Sequence, residues 1–159
     1  LKNTYNLSAY QDFSDDVIGA IKFRVRSVHG VDEDVRLSNR LFMSSRKLRG
    51  FVNGKVGPKD GEDWIGGNYV TGLNAEVQLP NLLPESYRTD FAVFFDAANI
   101  WGVDYSSTVE DSNKLRSSIG VGANVSTPVG PLSWTFSQFL TKASSDKTET
   151  FNFNLGTSF

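Results

Sequence analysis

Residues 69–80, YVTGLNAEVQLP, alternate between two kinds of side chain. The odd positions are mostly apolar or aromatic, whereas the even positions from 72 to 78 are glycine, asparagine, glutamate and glutamine. Successive side chains of a β-strand point to opposite faces of the sheet. The stretch therefore predicts a strand with one apolar face and one face that is polar or small.

The same alternation recurs along almost the whole chain and predicts seven strands. They lie at residues 1–13, 17–26, 69–80, 88–102, 115–127, 132–140 and 151–159. The connections between them are short at 14–16, 80–87 and 127–131 and long at 29–68, 103–114 and 141–148. Short turns at one end and long loops at the other are typical of a transmembrane antiparallel β-barrel. No apolar run reaches the roughly 20 residues that a membrane-spanning helix needs.

Composition excludes several classes of function. The net charge of −2 and the sequence pI of about 5.4 argue against a basic face for nucleic acid. The chain has no cysteine and one histidine, His29, so we expect no disulfide framework and no cysteine or multi-histidine metal site. No phosphate-binding glycine loop or nucleophile motif is present. We therefore expect a protein that is not an enzyme and needs no cofactor.

A soluble antiparallel sandwich or ligand-binding barrel would also alternate, so alternation alone leaves that class open. The polar face here is small and poor in charge, with glycine at positions 72, 120, 122 and 156. The opposite face carries many of the 12 phenylalanines. Large apolar side chains facing outward and small polar ones facing inward favour the membrane barrel.

The connection at 29–68 spans forty residues and contains the basic tip SSRKLRGF at 44–51. Loops longer than about 12–15 residues are usually either functional or disordered. Arg46, Lys47 and Arg49 are equally compatible with a solvated surface tip, and the residues alone leave that interpretation open.

Several motifs follow one another in the order found in one family of membrane proteins. They are Leu48-Arg49-Gly50-Phe51, Gly57-Pro58, Gly66-Gly67-Asn68, Glu76 to Pro80, FFDAANIW (94–101), VGPLSWTFSQFL (129–140) and FNFNLGTSF (151–159). In this combination the chain resembles the C-terminal half of the BamA family of outer-membrane assembly factors, over essentially all 159 residues.

The resemblance implies an all-β fold, a transmembrane antiparallel β-barrel in the outer membrane of a bacterium. Family barrels have sixteen strands, so residues 1–159 would supply about seven C-terminal strands, with the long extracellular loop at 29–68. The N-terminal strands and the periplasmic POTRA domains of the family would then lie outside this chain.

The resemblance also implies a site. In the family the long loop folds back into the barrel lumen, where its arginine pairs with carboxylates of the wall. The matching residues are Arg49, Glu76 and Asp96, with Leu48, Gly50 and Phe51 completing the loop motif. The alternation independently puts both carboxylates on the polar face, although whether Arg49 pairs with one or both stays open. The other cations of that face, which either balance these carboxylates or are solvated, are Lys22, Arg24, Arg26 and Arg116.

The implied function is the folding and insertion of other barrel proteins, using a weak seam between the first and last barrel strands. The residues on this side of the seam would be Phe151, Phe153, Leu155, Gly156 and Phe159. The implied partners are outer-membrane lipids, unfolded β-barrel substrates and accessory lipoproteins that bind the POTRA domains, with no nucleic acid. The alternatives are a two-partner-type secretion translocator of the same superfamily and a passive diffusion porin.

Overall fold

A computed structural model describes residues 1–104, residue 109 and residues 113–155. The strands are β1 Lys2–Ser14, β2 Val17–Val28, β3 Lys59–Asp60, β4 Asp63–Trp64, β5 Tyr69–Leu79, β6 Thr89–Trp101, β7 Arg116–Thr127, β8 Gly130–Thr141 and β9 Phe151–Leu155. Two one-turn 3-10 helices cover Leu37–Asn39 and Glu85–Tyr87. Within the described residues, no helix is long and apolar enough to cross a membrane.

Seven strands form one antiparallel sheet, called the wall below, in the order β1-β2-β5-β6-β7-β8-β9. Each strand pairs with the next in the chain, except that the long loop and its small β3–β4 hairpin lie between β2 and β5. The prediction of seven antiparallel strands is confirmed. The sheet is open, with β1 and β9 at its two edges, as expected for part of a larger barrel.

The predicted strand bounds agree with the structure to within about two residues, apart from the last strand. Its described part is Phe151–Leu155, and Gly156 and Phe159 lie outside the described residues. The hairpin and 3-10 helix inside the long loop were not predicted, because strands of two residues are too short to show alternation.

The apolar face of the sheet is exposed along its length. Val121 is 50% exposed and Phe136 is 54% exposed, although both lie in the middle of long strands. Aromatic side chains of β8 and β9 contact each other on this face, with ring centroids 4.9 Å apart for Phe136 and Phe151. A continuous exposed apolar surface of this kind is the lipid-facing side of a membrane barrel.

The hydrophobic core lies on the opposite, polar face, beneath the long loop. Its buried members come partly from the loop and partly from the ends of β2, β5 and β6: Val28, Val35, Leu41, Met43, Leu48, Phe51, Val56, Val70, Ala98 and Ile100. Because six of these ten side chains belong to the loop, the loop is a packed structure rather than a solvated tether.

Candidate functional site

Arg49 makes a bidentate contact with Asp96 on β6. Its Nε donates to Oδ2 at 2.8 Å, its Nη2 donates to Oδ1 at 2.8 Å, and its backbone N–H donates to Oδ2 at 3.0 Å. The Asp96 side chain is fully buried. A planar guanidinium matches the two oxygens of a carboxylate, so this pair holds the loop in one orientation as well as in one place.

The third guanidinium nitrogen of Arg49 contacts the second carboxylate. Nη1 donates to Oε2 of Glu76 on β5 at 2.6 Å, and Gln78 donates from Nε2 to the other oxygen, Oε1, at 2.9 Å. The Glu76 side chain is 22% exposed, so solvent screens this contact more than the contact with Asp96. Arg49 therefore contacts both carboxylates, which the sequence had left open.

Neutral groups of the wall bind the loop tip around this ion pair. Asn74 Nδ2 donates to Asp96 Oδ1 at 2.8 Å and to the Lys47 carbonyl at 2.9 Å. The Ser118 hydroxyl donates to the Arg49 carbonyl. The contacts at the carbonyls of Lys47 and Arg49 therefore hold the backbone of the tip against the wall.

The register of the sheet aligns these groups in two adjacent rows. Asn74, Asp96 and Ser118 are cross-strand neighbours on β5, β6 and β7. The next row runs from Glu76 through Phe94 to Gly120. Even-numbered residues of all three strands share the polar face. The alternation seen in the sequence therefore places both rows on the face against which the loop packs.

Phe94 forms the floor of the site. The guanidinium carbon of Arg49 lies 3.5 Å from the centroid of the Phe94 ring, a cation–π arrangement. Gly120 makes room for this ring, because a Cβ at that position would come within 2.6 Å of Phe94 Cζ and 2.2 Å of the Phe136 carbonyl oxygen. The sequence placed Gly120 on the polar face, but a role under Phe94 depends on cross-strand register and was not predicted.

The other residues of the loop motif are buried beside the arginine. Leu48 is 0% exposed and Phe51 is 1% exposed, and both belong to the hydrophobic core under the loop. Gly50 lies between them with a φ of +90°, a conformation that favours glycine. A Cβ at Gly50 would approach Ser137 Oγ to 3.2 Å and Ser118 Cβ to 3.3 Å.

Substituting Gly50→Ala should weaken loop docking by about 1–3 kcal/mol, because it combines backbone strain with crowding against the wall. The measurement is the rate at which an added protease cleaves the loop in lipid-embedded protein. Gly54→Ala is the matched control, since Gly54 also has a positive φ, +69°, but its Cβ would meet nothing within 4 Å. Equal sensitivity of the two variants would show that close approach to the wall is unimportant.

The electrostatic setting keeps Arg49 charged. Burial alone would lower the pKa of Arg49, but hydrogen bonding and charge from Asp96, followed by Glu76, raise it above its ordinary value. Its neighbour Lys47 behaves in the opposite way, because burial and then the positive charges of Arg24 and Lys22 lower its pKa. The tip thus brings one fully paired cation and one cation crowded by like charges to the polar face.

A second buried ion pair was missed by sequence reasoning. Arg116, at the start of β7, donates from Nε to Asp146 Oδ2 at 2.8 Å, and both side chains are 0% exposed. Arg116 was expected on the polar face, where it is found, and it forms an ion pair with Asp146, a residue of the loop between β8 and β9. Asp146 lies in the polar run SSDKTE, where nothing in the pattern distinguishes it from a solvated residue.

Of the remaining polar-face cations, Arg24 donates from Nε to Asn6 Oδ1 at 2.7 Å. Lys22 lies with its Nζ 5.7 Å from the centroid of the Tyr10 ring. In the part of the chain that the structure describes, no three histidine, cysteine, aspartate or glutamate side chains are grouped so that they could hold a metal ion.

The antiparallel wall has an exposed apolar face, and an arginine fixes the long loop to its polar face. Together these features define a transmembrane β-barrel with a loop packed against the inside of its wall. The model of the Omp85 superfamily domain matches residues 1–159, so the chain belongs to the Omp85 superfamily.

Two relatives carry the same printed name, "Outer membrane protein assembly factor BamA". The relative from Neorickettsia risticii is 32% identical over 151 residues, which cover 92% of this chain and 20% of the relative. The relative from Neisseria meningitidis serogroup B is 27% identical over 139 residues, 70% of this chain and 17% of the relative. The resemblance drawn from the motifs is confirmed, and the chain spans only about a fifth of the length of these relatives.

A solved structure shares the fold. The crystal structure of BamA from Haemophilus ducreyi lacking POTRA domains 1–3 superposes with a TM-score of 0.83 at 23% identity. The match covers 96% of this chain and 34% of that chain. The open seven-stranded sheet is thus similar to a portion of a BamA barrel.

Proposed function

We propose that the barrel to which this wall belongs folds and inserts β-barrel proteins into the outer membrane of a Gram-negative bacterium. Membership of the Omp85 superfamily and the printed names of two relatives support this proposal. The observation that carries it is the long loop pinned to the wall by the three side-chain hydrogen bonds of Arg49. We expect no covalent chemistry, because the proposed work is the pairing of strands.

The proposed working edge is β9. Within its described residues, Phe151–Leu155, this strand pairs with Leu132–Phe136 of β8, and its other side is an edge of the sheet. Unpaired strand edges readily accept a new strand through backbone hydrogen bonds. A substrate strand could therefore extend the wall at β9 while its apolar side chains enter lipid beside Phe151 and Phe153.

The pinned loop gives the wall its shape in this proposal. Arg49 contacts β5 and β6, and Ser118 of β7 holds the Arg49 carbonyl, so one residue ties three adjacent strands together. The proposed partners are unfolded barrel proteins, outer-membrane lipids and accessory lipoproteins bound through POTRA domains.

A passive porin needs a clear lumen, whereas here a packed loop lies against part of the polar face, over β5, β6 and β7. A secretion translocator of the same superfamily is the remaining alternative. Such a protein would move a partner polypeptide across the membrane and leave barrel substrates unfolded.

The test is reconstitution of the full-length protein into lipid vesicles, followed by addition of a urea-unfolded outer-membrane barrel. We expect the substrate to fold about tenfold or more faster than in empty vesicles, as followed by its shift in mobility on an unheated gel. Heat-inactivated protein in matched vesicles is the control. Transport of a secreted polypeptide into the vesicles, without faster folding of barrels, would instead identify a translocator.

A further inference from the structure

The segment Asp146–Thr150, called the strap here, connects the long loop with the last strand. It lies in the loop between β8 and β9 and leads directly into Phe151, the first residue of β9. The strap pairs with the long loop in antiparallel fashion around the bridge between Phe51 and Thr148. The two segments are separated by nearly a hundred residues of sequence, so tertiary structure alone brings them together.

Three backbone hydrogen bonds join the strap to the long loop. Val52 N–H donates to the Lys147 carbonyl, Lys147 N–H donates to the Lys55 carbonyl, and Glu149 N–H donates to the Gly50 carbonyl, each at 3.0 Å. The last of these acceptors directly follows Arg49. The strap is therefore bonded to the same stretch of loop that Arg49 holds on the wall.

The far end of the strap is bonded to the sheet. Ser137 N–H on β8 donates to the Thr150 carbonyl at 2.8 Å. Asn152 Nδ2 on β9 donates to the Glu149 carboxylate at 2.8 Å. A displacement of the strap must either break these bonds or move the start of β9.

Asp146 clamps the near end of the strap. Its carboxylate receives Arg116 Nε at 2.8 Å and Nη2 at 3.2 Å. The same carboxylate accepts the backbone N–H groups of Gly57 in the long loop, at 3.1 Å, and of Ala143, at 2.7 Å. One fully buried carboxylate thus joins the wall, the long loop and the strap. A buried charge needs its hydrogen-bond donors, so these contacts favour one position of Asp146 relative to Arg116, Gly57 and Ala143.

We propose that the strap couples the position of the long loop to the position of the last strand, with Arg116 and Asp146 as the positioning residues. When the loop is docked, the strap holds the start of β9 against β8. When the loop leaves the wall, the strap loses its partners and the β8–β9 pairing loosens. This inference deepens the proposed function and its consequence for assembly rests on that function, although the coupling itself is tested without it.

The test is hydrogen exchange of the full-length protein in lipid, read in two peptides that cover residues 50–55 and 147–155. In Asp146→Asn we expect exchange to become about tenfold faster in both peptides together, while β5 and β6 keep their protection. The control is Glu62→Gln, which removes an ion pair of the same loop whose carboxylate is 97% exposed.

A second variant avoids the buried charge and decides the question if Asp146→Asn does not fold. Lys147→Pro removes the N–H that donates to the Lys55 carbonyl, whereas Lys147→Ala keeps it and serves as its matched control. We expect faster exchange in both peptides for the proline variant alone. Loosening of residues 50–55 with unchanged protection of 147–155 would overturn the coupling.

The same variants are also assayed for folding of an unfolded barrel substrate. This assay separates the coupling of the loop to the last strand from a role of that coupling in assembly. Coupled loosening with a folding rate changed at least threefold supports a role of the strap in assembly. Coupled loosening with an unchanged rate leaves the link standing and contradicts that role. A wild-type protein that folds no substrate would contradict the proposed function, while the exchange result would still decide the coupling.

Discussion

Arg49→Ala is expected to weaken the docking of the long loop on the wall by about 3 kcal/mol. Removing one partner of a buried ion pair typically costs about 3–5 kcal/mol, because the other charge stays buried without compensation. The lower end applies because Asn74 and the backbone N–H of residue 49 still donate to Asp96. The measurement is protection of residues 44–51 from a protease that does not cleave after arginine, in lipid-embedded protein.

A double-mutant cycle identifies which carboxylate matters more. Arg49→Ala and Asp96→Asn should be coupled by about 1–3 kcal/mol, because both remove the same bidentate contact. Arg49→Ala and Glu76→Gln should be coupled less, since the Glu76 side chain is partly exposed. Additive effects of the first pair of substitutions would show that the bidentate contact between Arg49 and Asp96 does not hold the loop.

Arg49→Lys provides a control that keeps the charge. An ammonium group donates from one point and cannot reach both carboxylates with the geometry of a guanidinium. We expect the lysine variant to recover only part of the lost protection. Full recovery would mean that charge alone holds the loop and that the fork geometry is unimportant.

Val121→Arg is expected to destabilise the lipid-embedded barrel by about 2–4 kcal/mol. Val121 lies in the middle of β7 on the exposed apolar face, and the cost of an arginine on the lipid side is largest near the bilayer midplane. The measurement is the free energy of unfolding from urea titration in lipid vesicles.

Thr135→Arg is the matched control on the polar face. Threonine and valine are similar in size, and Thr135 pairs with Gly122, a neighbour of Val121 in the chain. We expect a change below about 1 kcal/mol, because water reaches this face of the wall. Equal costs for the two arginines would contradict the assignment of the exposed apolar face to lipid.

Much of the wall could be predicted from the sequence because alternation is a local property. Each strand of the sheet shows this alternation within about ten residues. Glu76 and Asp96 could be placed on the polar face because each occupies one of the alternating polar positions of its own strand. The small hairpin in the long loop escaped prediction because Lys59–Asp60 and Asp63–Trp64 are too short to carry a period.

The candidate site was predictable only in part. The residue types Arg49, Glu76 and Asp96 came from motifs, but their contacts depend on how the loop returns to the wall. Arg116 was predicted to face the polar side, whereas its partner Asp146 lies 30 residues away in a loop without any pattern. Charge pairing between distant segments leaves no periodic signal, so no local rule could identify it.

The sequence by itself determined the strands, their two faces and the side of the wall on which the carboxylates lie, because side-chain direction follows from position within a strand. Only the tertiary structure decided which residues became neighbours. The register between strands put Phe94 above the space left by Gly120, and the packing of the long loop brought Gly50 to Glu149. These contacts join residues far apart in the chain, and their geometry exists only once the sheet and the loop have formed together.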